Sequence, residues 1–294
     1  MSKALRLAHS VLPVLILMAL LAATVWIGLN LSAYRSVELP VLEQLSLISG
    51  LAYLFFLAGL SGLRIAFRQR NKLPARTYSW VLIFLLAFII PLVISWLPGL
   101  VIFAVTSATR PFDLAGFLTI RQNWLPTLQA VALMILLLSD GEIRIDALSP
   151  APDAPMLANA AVWGMGLWLV LVFSLRLLGA LLPLGDSAIP ASPLWLVAIM
   201  APAGMVLLPV GQGILFRGRL LAAWQARYGP TAGSLLCAAV YALACMRPAL
   251  WLPAFLVGLG LNWLAARGQG LRLPVMAHAV MNLIILWILP ANLI

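Results

Sequence analysis

Uncharged apolar runs long enough to cross a bilayer recur along the whole chain, and nothing else in the sequence constrains the fold as tightly. A helix needs about 20 predominantly apolar residues to span the hydrocarbon, with roughly 17 as the lower limit. Val11 to Asn30, Ser46 to Leu63, Thr77 to Thr109, Gln122 to Ser139, Ala154 to Leu175, Ser187 to Phe216, Tyr228 to Met246, Pro248 to Ala266 and Leu273 to Ile294 all qualify. The third run would be about 50 Å long as one helix, so Pro91 and Pro98 are expected to kink it or end it early. The expected fold is therefore all-α, a polytopic transmembrane helix bundle of eight or nine spans. Composition agrees: 64% of the residues are hydrophobic and 9% charged, where soluble domains carry about 25% charged residues.

The charged residues fall between the apolar runs. The 18 basic residues outnumber the 8 acidic ones, giving a net charge of +10, but they punctuate the runs instead of forming a patch. This pattern points to membrane lipid and not to nucleic acid as the surrounding partner. Placing the N-terminus in the cytoplasm puts the dense Arg64, Arg68, Arg70, Lys72, Arg76 loop inside, as positive-inside topology requires. The run after Lys3 and Arg6 exceeds a secretory signal core and is expected to be a retained anchor. A multi-pass protein of a cell membrane, a bacterial inner membrane by expectation, follows. Cys237 and Cys245 are eight positions apart, about 12 Å on a helix, and cannot bridge each other. With His9 and His278 they form no zinc spacing, and no metal or cofactor is expected.

The acidic, proline-containing stretch Asp140 to Asp153 reads as a linker. It suggests N-terminal transmembrane helices over 1–139, a linker over 140–156 and a second transmembrane region over 157–294, with the informative part at about 190–290. There, polar residues interrupt apolar runs, where each is expensive and demands a reason. Three clusters stand out: Gln212-Gly213 with Phe216-Arg217-Gly218; Tyr241 with Cys245; and Phe255 and Gly258, the Arg267-Gly268-Gln269-Gly270 turn, then Pro274, His278 and Asn282.

In this order the clusters resemble the CAAX protease and bacteriocin-processing (Abi) family of intramembrane endopeptidases. That family carries Glu-Glu-x-x-x-Arg, then Phe-x-x-x-His, then His-x-x-x-Asn or Asp. The resemblance covers roughly the last third of the chain. It implies that Gln212, Arg217, Cys245, His278 and Asn282 occupy the family's catalytic positions, with Phe216 and Tyr241 beside the substrate. In the family the first glutamate activates a water, while the histidines and Asn hold the reacting oxygen. Here Gln212 and Gly213 replace the glutamates, Tyr241 replaces Phe and Cys245 replaces His.

A Gln amide has no proton to exchange near neutral pH, so Gln212 can hold a water but not deprotonate it. No Asp or Glu follows Asp186. Three sources of replacement chemistry stay open: the 140–153 acids, a carboxylate from a partner, or Cys245 as nucleophile with His278 as base. The reading is a degenerate, non-hydrolytic member that binds a hydrophobic peptide, a lipidated tail or a partner membrane protein. The alternatives are an active endopeptidase with nonstandard groups, and a transporter component. His278 and Asn282, four apart on one helical face, also fit simple interhelical hydrogen bonding. Gly258 and Gly260 read as close-packing residues, and Trp251 and Trp263 as interface anchors.

One geometric problem is visible in advance. If the sixth run ends at Phe216, Cys245 falls about 26 Å along the next span and the motifs cannot meet. Either the segment from Gln212 to Arg227 is itself embedded as an amphipathic helix with its arginines facing a cavity, or the following span is broken around Gly229-Pro230; the embedded segment is the favoured expectation.

Overall fold

The computed structural model describes residues 39–71, 79–106, 114–140, 153–181, 203–246, 250–267 and 270–288. The first apolar run, the charges at Lys3 and Arg6, most of the acidic linker and Asp186 lie outside the described residues. Every described regular element is helical. In the N-terminal unit α1 covers Leu39–Arg70, α2 covers 80–106 and α3 covers Leu114–Ser139. In the C-terminal unit α4 covers Ala154–Leu181, α5 Ala203–Tyr228, α6 Pro230–Ala244, α7 Trp251–Ala266 and α8 Arg272–Ile288. The two units are separately compact.

Among the described residues four helices are long and apolar enough to cross a membrane: Gln44–Arg70, Trp80–Ala104, Ala154–Leu178 and Ala203–Tyr228. Shorter apolar helices occupy Trp124–Ser139, Pro230–Ala244, Trp251–Ala266 and Arg272–Ile285. The protein is an all-α membrane bundle. Its helices bury one face and leave large apolar side chains on the other. In α1, Leu45, Ser49, Ala52, Tyr53 and Leu57 are buried, while Leu51, Phe55 and Phe67 are exposed. In α4, Ala160, Leu167 and Ser174 recur every seventh residue on the buried side, and Val162 and Phe173 stand 69% and 72% exposed. Such outward apolar faces suit hydrocarbon and not water.

Neither proline ends α2. The helix runs through Pro91 and Pro98 after a π-turn at Leu85–Ile89. In that turn the Ile90 N–H bonds to the Leu85 carbonyl, and the next i→i+5 donor for Leu86 would be Pro91, which has no N–H. The Leu86 carbonyl is therefore left over, and the Tyr53 hydroxyl of α1 donates to it. A tyrosine from the neighbouring helix thus completes the backbone bonding that the proline interrupts.

Candidate functional site

The C-terminal unit is organised by a hairpin whose corner is Gly229-Pro230. Gly229 sits at φ 84, a left-handed position that suits glycine, and Pro230 opens α6. The arms pack closely: a Cβ on Gly233 would lie 2.5 Å from the backbone nitrogen of Gln225. α5 does not stop at Phe216, so the basic residues there mark no helix end. Arg217 lies twelve residues before the corner and Tyr241 twelve after it, about 18 Å along each arm. Equal arms bring the two side by side, which resolves the separation that alternating spans would have imposed. Of the three arginines in the segment Arg217 is buried, Arg219 is half-buried and Arg227 is exposed.

A π-wound stretch over Gly213–Leu220 sets the direction of Arg217. In a regular α-helix five residues turn about 500°, which would leave Arg217 about 140° from the face of Gln212. Hydrogen bonding to every fifth residue turns the later position back toward the earlier one. Both side chains are buried, each 4% exposed. The Arg217 guanidinium carbon lies 4.3 Å from the centroid of the Tyr241 ring and 5.8 Å from that of Phe216. Phe216 meets Tyr241 edge to face at 5.5 Å. The Tyr241 hydroxyl is 3.3 Å from His278 Nε2, and the two rings are also edge to face. Arg217, Phe216, Tyr241 and His278 therefore form one buried chain of contacts across α5, α6 and α8.

Two expected members hydrogen-bond to backbone carbonyls. Asn282 Nδ2 donates to the Gly204 carbonyl at 2.8 Å, tying α8 to the start of α5. Cys245 is at the C-terminal end of α6, and its thiol turns back toward the Tyr241 carbonyl at 3.8 Å. Gln212 lies five residues before Arg217, with its Oε1 buried and without a hydrogen-bond partner among the described residues.

The space of the second motif glutamate is already filled. A Cβ on Gly213 would run into Cγ2 of Val275, and one on Gly218 would lie 3.0 Å from Leu271. These two contacts fix α5 and α8 as antiparallel neighbours, which sets His278 slightly deeper than Gln212. Close approach recurs around the cluster. Gly258 faces Tyr241 and Ala238, Gly164 faces Val280 and the Ala277 carbonyl, and Gly260 faces Leu167. Trp263 pairs with Trp163 at 4.9 Å and carries Arg267 over its ring at 3.9 Å, both Trp263 and Trp251 being exposed at the bundle surface.

One polar residue with a defined role was not singled out by the motifs. Asn262 of α7 is 1% exposed; its Nδ2 donates to the Ser234 carbonyl at 2.9 Å and its Oδ1 accepts from Cys237 at 3.7 Å. Cys237 also reaches the Phe216 carbonyl at 3.2 Å, so Asn262 and Cys237 link α7 and α6 to the strand of contacts leading to Arg217. The signal was present as a lone Asn inside an apolar run. Among the described residues no group of His, Cys, Asp and Glu is placed to hold a metal ion.

The cluster contains a cation, an imidazole, a phenol and an amide, but no carboxylate. Among the described residues of this unit the one acid is Asp153, which is exposed and accepts from the Met156 N–H at the start of α4. Residues 193–284 match the family described as type II CAAX prenyl endopeptidase Rce1-like. The resemblance read from the three motifs is therefore borne out for this segment of the chain. No curated protein and no solved structure matches.

Proposed function

We propose that this membrane protein, whose residues 193–284 match the type II CAAX prenyl endopeptidases, binds a hydrophobic peptide or partner helix through an acidic group and does not cleave it. One observation carries the reading. Arg217 is buried, and among the described residues its guanidinium faces no carboxylate, only aromatic rings and the Tyr241 phenol. A buried charge left uncompensated costs several kcal/mol, on the order of 3–5 when a partner is missing. The ring face of Tyr241 offsets roughly 1–2 kcal/mol of that. A carboxylate arriving with a ligand supplies the remainder, and the apolar surroundings suit a hydrophobic carrier.

Three features favour holding over cutting: Gln212 has no basic form, Val275 occupies the space of a second acid, and His278 is tied to Tyr241. A bacterial inner membrane with a cytoplasmic N-terminus is the setting that accords with the charge distribution.

The test uses the purified full chain in lipid nanodiscs with a hydrophobic transmembrane peptide carrying one central Glu, and its Gln counterpart. The Glu peptide is expected to bind about tenfold more tightly, a difference of about 1.4 kcal/mol, and to be recovered intact by mass spectrometry. Arg217→Gln should erase the preference. Cleavage that disappears in His278→Ala would overturn the reading in favour of an endopeptidase, and equal binding of both peptides would remove the role given to Arg217.

A further inference from the structure

The π-wound stretch Gly213–Leu220 is bonded from outside its own helix at one peptide unit. In a regular α-helix the Phe216 carbonyl would accept from the N–H four residues on, that of Leu220. Here it accepts from the Leu221 N–H, five residues on, and that bond closes the π-wound stretch. The same carbonyl also accepts from the Cys237 thiol of α6 at 3.2 Å. Its two lone pairs accommodate both donors. Phe216 precedes Arg217, so the thiol acts on the peptide unit that leads directly into Arg217.

Cys237 is itself held in place. It is fully buried, and Asn262 of α7 engages the same face of α6 twice. Asn262 Nδ2 donates to the Ser234 carbonyl at 2.9 Å, and its Oδ1 lies 3.7 Å from Cys237 Sγ. Ser234 and Cys237 are three residues apart and therefore neighbours on one helical face. A thiol has a single proton, and the Phe216 oxygen at 3.2 Å takes it ahead of Asn262 at 3.7 Å. Asn262 thus fixes the rotation of α6, and Cys237 carries that rotation across to α5. The close approach of the two arms at Gly233 lets so short a side chain reach the facing backbone. α8 contributes Val275 at Gly213 and Leu271 at Gly218, apolar contacts that fill space without orienting a carbonyl.

We infer that Cys237, clamped by Asn262, is a positioning residue for Arg217: its bond to the Phe216 carbonyl holds the π-winding that turns the guanidinium onto the Tyr241 ring. Without that bond the carbonyl returns to the Leu220 N–H and the stretch rewinds as an α-helix. Arg217 then turns off the ring, by about 100° for each residue of altered register. What Arg217 goes on to bind rests on the function proposed above, whereas its positioning by Cys237 does not.

The test uses the full chain in lipid nanodiscs with meta-fluorotyrosine in place of tyrosine, and fluorine NMR of the ring that Arg217 covers, assigned with Tyr241→Phe. Arg217→Gln gives the position of that signal without the cation. Cys237→Ala should move the signal to the same position, and adding Arg217→Gln to Cys237→Ala should move it no further. Cys237→Ser, which returns a donor of similar size, should keep the signal where the unaltered chain has it. A signal unmoved by Cys237→Ala, or moved alike by Ala and Ser, would overturn the inference. Should Cys237→Ala fail to fold, the infrared S–H stretch of the unaltered chain decides. The band that Cys237→Ser removes should lie below that of a thiol in hydrocarbon, and a band at the hydrocarbon frequency would overturn the inference as well. In peptide binding, the roughly tenfold Glu preference should fall to about twofold or less in Cys237→Ala. A preference that survives Cys237→Ala in full would count against the positioning role. Absence of the preference in the unaltered chain, with the fluorine signals moving as stated, would remove the proposed ligand and leave the positioning role standing.

Discussion

Val275 stands where a side chain on Gly213 would have to go. The position that the resemblance assigns to a catalytic glutamate is thus a helix–helix contact, closed by a valine from α8. A glycine at 213 lets α5 and α8 approach, and the valine at 275 fills the gap.

Gly213→Ala should consequently destabilise the protein by about 1–3 kcal/mol through overpacking. The double variant Gly213→Ala, Val275→Ala should recover at least 1 kcal/mol of that, since the two positions share one space. Denaturant titration in mixed micelles measures both; additivity of the two single effects would contradict the direct contact.

Tyr53→Phe should cost about 1–3 kcal/mol by leaving the Leu86 carbonyl without a donor. Replacing Pro91 with Ala in that background restores a backbone N–H at the position that the π-turn would use. The loss should then shrink to below about 1 kcal/mol. The same loss in both backgrounds would show that the carbonyl was not what Tyr53 served.

Removal of the Tyr241 hydroxyl in Tyr241→Phe should cost only about 0.5–1.5 kcal/mol while releasing His278 Nε2. Increased reactivity of His278 toward diethylpyrocarbonate, followed by peptide mass spectrometry, is the expected readout. An unchanged rate would mean that His278 is shielded by packing and not by the phenol.

Gly164→Val should separate α4 from α8, because a side chain there meets Val280 at 2.7 Å and the Ala277 carbonyl at 2.8 Å. Backbone oxygen cannot give way as a flexible side chain can, so the loss should exceed the one at Gly213, at about 3 kcal/mol or more. Gly166→Val two positions on, with nothing within 4 Å, should cost less than about 1 kcal/mol.

The apolar spans were legible because length and absence of charge are properties of single segments, and a helix in hydrocarbon needs nothing else. Arg217, Tyr241 and His278 were legible because a polar group in such a segment is costly wherever it lies. The depth of Arg217 was less so. Arg217, Arg219 and Arg227 together imitate the basic end of a span, and Gly229-Pro230 was the better marker of the corner. The filling of the Gly213 space by Val275 could not be read at all, since one valine among many becomes informative only when the register of α5 against α8 is known. Asn282 keeps the family's spacing from His278, but the bond of its Nδ2 to the Gly204 carbonyl was not legible, since it joins positions 78 residues apart.

The equal arms on either side of Gly229-Pro230 make the hairpin intolerant of changes in length. One residue inserted between positions 218 and 228 would swing Arg217 by about 100° and lift it about 1.5 Å relative to the opposite arm. A matching insertion between 231 and 240 would restore the height but not the facing. Gene variants across this stretch should accordingly differ by exchange of residues and hardly ever by gaps, and an engineered tag or loop belongs elsewhere in the chain.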